Sequence, residues 1–280
     1  MTTAPDLSTD ADDAGQPAVA GTQAFGKFMR VLQLVADAEQ PPNVAALVHA
    51  TGFPRPTVHR IVAGLVAERM LVEHPQTHGL SLGPRLIQLA SRSWGRSDLR
   101  LAAMDELKRL RDITGETVHL AVPNGQHMVY VEKLESPSAV QMSSRIGTNV
   151  SMHSTSVGKA YLAMLGDPAR EALLATLPQP FERYMPNTLA NADALRKQLA
   201  QVRKRGWSMD DEENEAGIQC FGAPILGDQG VAVAAISVST LRFRQKDDPE
   251  QAYVAPLLEA CRAISERIAQ TPALTAKDVL

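Results

Sequence analysis

Four side chains suited to nucleic-acid contact fall within six consecutive residues. They are Arg55, Thr57, His59 and Arg60, in the segment RPTVHR. An arginine can form two hydrogen bonds to a guanine edge, and threonine and histidine can reach phosphates or base edges. The alternative is a solvated helix face in a domain that contacts only protein. The spacing predicts DNA contact if these residues share the exposed face of one helix near its start.

A second candidate is an anion site in the segment SVGKA, residues 156–160. Free N–H groups at the start of a helix attract anions, and Gly158 would let a ligand approach the backbone. The segment is not a P-loop, because His153 occupies the position of the upstream glycine that this motif requires. The alternative is a tight turn between a strand and a helix.

A third group of polar residues lies in segments that otherwise supply core. Alternation along a strand places Ser237 and Ser239 on one face. Cys220 suits a half-buried strand, and its alternative role is that of a small core residue. A catalytic cysteine would need a histidine base close by, and the sequence does not place His119 or His153 near it. We interpret His119 as a hydrogen-bonded core histidine.

The acidic run DDEENE, residues 210–215, invites a metal-binding interpretation. It lacks the alternating ligands and the central glycine of an EF-hand loop. We therefore interpret it as a loop whose carboxylates bond nearby backbone and arginines. No metal and no cofactor is expected from the sequence.

The elements that would position the first group form a helix-turn-helix with a wing in residues 43–82. Gly52 and Pro54 end a short helix, and Pro56 is tolerated in the first turn of the next one. The second helix carries apolar residues at helical spacing: Val58, Ile61, Val62 and Leu65. Residues 71–73 and 80–82 flank a polar turn and predict a small hairpin.

The rest of the chain predicts a second domain. We predict a disordered acidic tail over residues 1–22 and the DNA-binding domain over residues 23–83. A linker helix with a bend at Trp94–Gly95 is predicted over residues 84–98. The second domain then covers residues 99–271, and residues 272–280 form a C-terminal tail. Strands are predicted over residues 117–122, 127–134, 140–144 and 231–239, and residues 207–226 read as one extended segment. Helices at both ends of these strands predict an α+β domain built on an antiparallel sheet.

Composition excludes several classes of protein. The 280 residues carry a net charge of −3, which argues against indiscriminate coating of nucleic acid. Residues 23–96, by contrast, hold eight Lys and Arg against four Asp and Glu. Two cysteines give neither a disulfide framework nor a zinc cluster. The acidic start lacks the apolar core of a signal peptide, and no apolar run is long enough to span a membrane, so we expect a cytoplasmic protein.

Over residues 23–270 the chain resembles the IclR family of bacterial transcriptional regulators. An ordered set of segments carries the resemblance: TGFPRPTVHRIVAGLVAERMLV, LGPRLIQL, TGETVHLAV, VYVEKLES, HSTSVGKAYLA, PNT, RKRGWSMDDEENEAGIQCFGAPI and AAISVS. The chain departs from the family pattern at Ala216, where proline is frequent, and at Pro56, where serine is frequent. The second departure makes base contacts copied from a relative unreliable.

The resemblance implies an N-terminal winged helix-turn-helix, a helical linker and a C-terminal GAF-like α/β effector-binding domain. It also implies a homodimer, often paired into a tetramer, that binds palindromic double-stranded operator DNA. The affinity for this DNA would change with a small metabolite. In the family, backbone amides at Gly158, Lys159 and Ala160 line the effector pocket. Four further positions match those facing the pocket in members that bind small carboxylates: Asp210, Cys220, Ser237 and Ser239.

We therefore expect a ligand-responsive DNA-binding regulator, a repressor of genes for catabolism of a small organic acid or related metabolite, rather than an enzyme. Two other classes stay open. One is an enzyme that uses the C-terminal domain, although no catalytic triad, metal spacing or cofactor motif supports it. The other is a redox sensor that acts through Cys220. In that case an oxidant, rather than a metabolite, would release the protein from DNA.

Overall fold

The computed structural model describes residues 21–94, 98–227 and 230–270. The chain divides into two compact units, Met1–Gly95 and Arg96–Leu280, which we describe separately. Residues 1–20 of the first predicted tail, the whole of the second, Gly95 of the predicted bend and residues 228–229 of the turn before residue 231 lie outside the described residues.

The first unit places four helices around a two-stranded hairpin. Its elements are α1 Gln23–Asp37, α2 Val44–Thr51, α3 Arg55–Ala67, β1 Leu71–Glu73, β2 Leu80–Leu82 and α4 Pro84–Trp94. The side chain of Asn43 caps α2 by accepting the Ala46 N–H at 3.0 Å. At the other end Gly52 takes φ +67°, which costs glycine little, and its N–H bonds the carbonyl of Val48. The predicted helix-turn-helix and wing are confirmed.

One apolar face of α3 holds this unit together. Val58, Ile61, Val62 and Leu65, predicted from helical spacing, are all buried. They contact a cluster from the other elements: Val31, Leu32, Val35, Leu47, Leu71 and Leu80. Because this burial consumes one face of α3, the opposite face is left for solvent or a partner.

The second unit is an α+β domain, as predicted. Its elements are α5 Asp98–Thr114, β3 Thr117–Asn124, β4 His127–Leu134, β5 Asn149–Ser151, α6 Ser156–Ala163, α7 Asp167–Thr176, α8 Ala192–Arg205, β6 Ser208–Asp211, β7 Ile218–Leu226, β8 Ala232–Leu241 and α9 Ala255–Ala269. The strands form one antiparallel sheet in the order β5-β4-β3-β8-β7-β6.

Helices cover both faces of this sheet. A Cβ atom on Gly222 of β7 would lie 2.6 Å from the backbone of Ser156, so α6 presses directly on one face. The next residue toward the N-terminus, Phe221, points to the other face and stacks on Tyr253, just before α9. Helix α8 packs on α6, and α5 packs on α9. The face beneath α6 contains the polar residues singled out from the sequence.

Two predicted segments differ in the structure. Residues 140–144 are not a strand, because the Lys133 ammonium takes the carbonyls of Met142 and Ser144 at 2.8 and 2.7 Å; the third strand is β5 instead. Residues 207–226 form a hairpin of β6 and β7, separated by the loop 212–217. No helix in the described parts of the chain is long and apolar enough to cross a membrane.

Candidate DNA-reading helix and effector site

Helix α3 exposes three of the four residues predicted to contact DNA. Arg55, His59 and Arg60 are exposed, Thr57 is half-buried, and Val58 beside them is fully buried. The Thr57 N–H donates to the Pro54 carbonyl at 2.8 Å, which fixes the first turn of the helix. Two guanidinium groups and one imidazole are therefore presented on one rigid element.

The wing is closed by two histidine contacts. The His74 imidazole lies 2.9 Å from the hydroxyl of Ser81, and the His78 imidazole lies 2.7 Å from a carboxylate oxygen of Glu73. His78 has φ +53°, a conformation that side chains other than glycine adopt uncommonly. The turn between β1 and β2 is thus held by its own side chains.

The second site is a polar patch on the face of the sheet beneath α6. Cross-strand pairing places Asp210 beside Cys220, Cys220 beside Ser239, and Ser237 beside His119. The Cys220 thiol donates to the Ser239 hydroxyl at 3.1 Å. The sheet therefore brings together all four family-matched positions, and it adds His119.

His119 is the centre of this patch. It is 2% exposed, its Nε2 lies 2.8 Å from the Ser144 hydroxyl, and its Nδ1 lies 3.4 Å from the Ser239 hydroxyl. Its ring stacks on Tyr130 with centroids 4.4 Å apart. Burial, and then the charge of Lys133, lower the pKa of His119 to about 3. The imidazole is therefore neutral at pH 7, with one nitrogen as donor and the other as acceptor.

Asp210 is nearly as buried, at 4% exposure. One of its oxygens accepts the N–H of Glu213 at 2.8 Å. Burial raises the pKa of Asp210 to about 7, and this hydrogen bond opposes the rise. At neutral pH the carboxyl is therefore partly protonated and can donate a hydrogen bond, which reduces its repulsion of a bound carboxylate.

Lys159 brings a positive charge to the same region. Its side chain is fully buried, and its ammonium forms an ion pair with Glu213. Burial lowers the pKa of Lys159, and the adjacent carboxylate of Glu213 opposes this shift. The positive charge of Lys159 also opposes the rise in the pKa of Asp210, so the two groups influence each other.

The contacts of Gly158 favour the alternative interpretation of this segment, a tight turn into the start of α6. The Gly158 N–H donates to the Thr155 hydroxyl at 3.2 Å, and the Lys159 N–H donates to the Thr155 carbonyl at 3.1 Å. A Cβ atom on Gly158 would lie 2.5 Å from the Cα of Met152. Glycine is needed here because α6 packs closely on its own chain, and these two amides already have acceptors. Ala160 is fully buried in the apolar cluster around α6.

Sequence reasoning missed Tyr130, Ser144 and Glu213. Tyr130 could have been found from the alternation along β4, whereas Ser144 lies in the segment predicted as a strand. The acidic run does bond backbone and an arginine, as predicted: Glu212 accepts the Gly217 N–H, and Arg242 contacts Glu212. Within the described residues, no three His, Cys, Asp or Glu side chains are grouped to hold a metal ion.

Comparison with known families matches both units. The model of the IclR helix-turn-helix domain matches residues 26–75, and that of the bacterial transcriptional regulator IclR C-terminal domain matches residues 92–266. The chain belongs to the IclR family. As an IclR-family protein it is a DNA-binding transcriptional regulator that responds to a small-molecule effector, with a helix-turn-helix domain followed by an effector domain.

Individual relatives resemble the chain over most of its length. It is 30% identical to the HTH-type transcriptional regulator XynR of Escherichia coli K12, over 88% of this chain and 97% of XynR. It is 26% identical to the transcriptional repressor IclR of the same organism, over 90% of this chain and 92% of the repressor.

Solved structures agree with the fold. The crystal structure of Thermotoga maritima IclR has a TM-score of 0.69 at 28% identity, covering 87% of this chain and 98% of the other. An IclR homologue from Microbacterium hydrocarbonoxydans, complexed with 4-hydroxybenzoate, has a TM-score of 0.75 at 26% identity, covering 88% of this chain and 98% of the other.

Proposed function

We propose that this protein is a cytoplasmic repressor whose hold on operator DNA is controlled by a small organic carboxylate bound at the polar patch beneath α6. The patch carries the proposal. In it His119, Asp210, Ser237 and Ser239 are each less than 5% exposed. Burying polar side chains costs free energy unless they form hydrogen bonds, and a bound ligand can supply hydrogen bonds to these groups. The regulated genes would serve catabolism of that acid.

The DNA step rests on the exposed face of α3. We propose that Arg55, Thr57, His59 and Arg60 reach base edges and phosphates in the major groove, with the wing on adjacent backbone. A homodimer, or a pair of dimers, would place two such helices on the half-sites of a palindrome. Because proline stands at position 56 where serine is frequent in the family, base contacts copied from a relative are unreliable for this chain.

The ligand step rests on the chemistry of the patch. Neutral His119, the hydroxyls of Ser237 and Ser239 and a partly protonated Asp210 supply donors for carboxylate oxygens. Asp210 also suits a ligand hydroxyl. One relative is complexed with 4-hydroxybenzoate, a small molecule that has both a carboxylate and a hydroxyl, and this complex supports the proposed ligand class.

Control would follow from linkage between the two steps. An effector shifts the DNA-competent population only by its differential affinity for two conformations. We propose domain limits of 23–83 and 99–271, with the segment 84–98 between them as the linker that converts effector binding into half-site spacing. Tails at 1–22 and 272–280 complete this proposed organisation.

The test combines DNA and ligand binding on the full chain. Organic acids are screened by thermal shift, and hits are titrated by calorimetry and added to gel-shift assays with DNA from the gene's own upstream region. We expect a specific shift that a hit weakens. Absence of a specific shift would overturn the DNA step, and a shift that no acid alters would overturn the ligand step.

An oxidant sensor at Cys220 is the competing function, and its chemistry is unfavourable here. Burial raises the pKa of the Cys220 thiol, so the reactive thiolate is scarce at neutral pH. Replacing Cys220 with serine separates the two ideas. Oxidant-triggered release from DNA that the variant abolishes would favour the sensor, whereas retained release by an organic acid favours the proposed regulator.

A further inference from the structure

A cleft between α7 and α8 has the composition of an anion site. Its cavity has a volume of about 190 Å³ and is lined by Arg170, Arg196 and Arg203, with only Asp167 and Glu171 as lining acids. Leu199 supplies an apolar floor. Neither helix contributes a residue to the polar patch beneath α6. We propose that this cleft binds the phosphate group of a small anion.

The three guanidinium groups are already oriented by carboxylates. Arg196 donates through Nε and Nη2 to one oxygen of Glu171, at 2.9 and 2.8 Å, and through Nη1 to Asp193 at 2.8 Å. Arg203 donates to Asp167 at 2.9 Å, and Arg170 contacts the same oxygen at 3.0 Å. Guanidinium groups held in a fixed fork match the paired oxygens of a phosphate.

The existing ion pairs are easily exchanged. The side chains of Asp167, Glu171 and Asp193 are 69%, 43% and 84% exposed, so each carboxylate can turn into water. Exposed ion pairs add little to stability, and a phosphate dianion offers more charge and more acceptors than any of these carboxylates. Arg170, at 16% exposure, stays fixed in the cleft wall.

The surroundings favour negative charge. Helix α8 carries Arg196, Lys197, Arg203, Lys204 and Arg205, with Asp193 as its one acid. Helix α7 begins at the cleft with Asp167, and its N-cap Gly166 provides no side-chain acceptor for the first N–H groups. The positive end of this helix dipole adds to the arginine charges.

The test is calorimetric titration of the full chain with inorganic phosphate and with glycerol 3-phosphate, at constant ionic strength in chloride. We expect saturable binding of both. Tighter binding of the ester assigns the site to a phosphorylated metabolite, and equal binding assigns it to any phosphate dianion; either supports the proposal. The absence of saturable binding for both probes would overturn it.

Two variants separate a defined site from diffuse attraction. Arg203→Gln should weaken binding about 10-fold or more, because it removes charged hydrogen-bond donors from the cleft. Lys197→Gln removes the same charge from an exposed position on the same helix outside the cleft, and it should bind like the parent. Equal losses in both variants, or no loss in Arg203→Gln, would contradict the proposal. Arg203 is half-exposed, so its replacement should leave the fold intact.

Discussion

The buried ammonium of Lys159 is paired with the carboxylate of Glu213, 54 residues later in the chain. This pair ties the first turns of α6 to the loop between β6 and β7, and therefore to Asp210 at the edge of the polar patch. Within the described residues, one oxygen of Glu213 has no hydrogen-bond partner. A charge pair buried in this way is sensitive to the loss of either member.

Lys159→Met and Glu213→Leu should each destabilise the C-terminal unit by about 3–5 kcal/mol, because each leaves one buried charge unpaired. The double variant should lose less than the two single losses combined. Urea unfolding of all four proteins gives the double-mutant cycle. Strict additivity would show that the two groups do not depend on each other.

Asp210→Asn should change how stability depends on pH. The pKa of Asp210 is raised from 3.8 to about 7, so the folded state holds this proton more tightly than the unfolded state does. The stabilisation from the retained proton is fully present below pH 3.8 and is lost as pH rises toward 7, at up to about 1.4 kcal/mol per pH unit. Urea midpoints between pH 5 and 8 should fall faster with pH in the parent than in the variant. If the urea midpoints of parent and variant change with pH in parallel, the pKa of Asp210 is not raised in the folded state.

Arg55→Ala and Arg60→Ala should each weaken operator binding without loss of stability, because both side chains are exposed. Loss of a guanine contact should cost about 1–3 kcal/mol and relax sequence preference, whereas loss of a phosphate contact should reduce the salt slope. Gel-shift titrations at several salt concentrations distinguish the two. Lys197→Ala, in the other unit, controls for a general loss of charge. Parent-like affinity in both arginine variants would contradict the placement of α3 in the groove.

Ser239→Ala should reduce effector affinity while leaving effector-free operator binding intact. The hydroxyl lies at the patch between Cys220 and His119, so a ligand carboxylate would lose a charge-assisted hydrogen bond. The cost should be roughly 1.5–3 kcal/mol, or about 10- to 150-fold in affinity. Calorimetry with a screened acid measures it. If the variant binds that acid like the parent, the ligand sits elsewhere.

Gly158→Ala should destabilise the C-terminal unit by about 1–3 kcal/mol, because the new methyl group meets the Met152 backbone at 2.5 Å. Gly166→Ala is the control without a clash: the same atom would meet nothing within 4 Å, and Gly166 has φ −59°, so we expect only the smaller loss from alanine as a weaker N-cap. Thermal unfolding followed by near-UV circular dichroism should separate the two variants. Equal stabilities would mean that α6 can shift away from Met152.

Local patterns predicted the elements whose structure is decided locally. The buried face of α3 follows from four apolar residues at helical spacing. The end of α2 follows from Gly52, because glycine adopts a positive φ at lower cost than other residues do. The antiparallel sheet followed from the alternation and the turns. These features depend on residues within one or two helical turns or one hairpin.

Contacts between distant segments were not predictable in the same way. Residues 140–144 have the composition of a strand, but Lys133 captures the carbonyls that a neighbouring strand would need. Glu213 is one of several acids in a loop whose carboxylates were predicted to bond backbone and arginines, and only the tertiary fold places Lys159 against it. The close approach at Gly158 likewise depends on the path of the chain through Met152, which no local spacing encodes.

The order of the sheet has a consequence for synthesis of the chain. Strand β3 lies between β4 and β8, and the His119 and Ser237 side chains that meet there are 118 residues apart. At about 5–20 residues per second on a ribosome, β3 and β4 wait many seconds for β8, so the centre of the sheet closes last. The DNA-binding unit lies wholly upstream, and its contacts are local. It can therefore fold on the nascent chain before the effector domain has been synthesised. Chains truncated before β8 would carry a folded DNA-binding unit and an incomplete, aggregation-prone sheet.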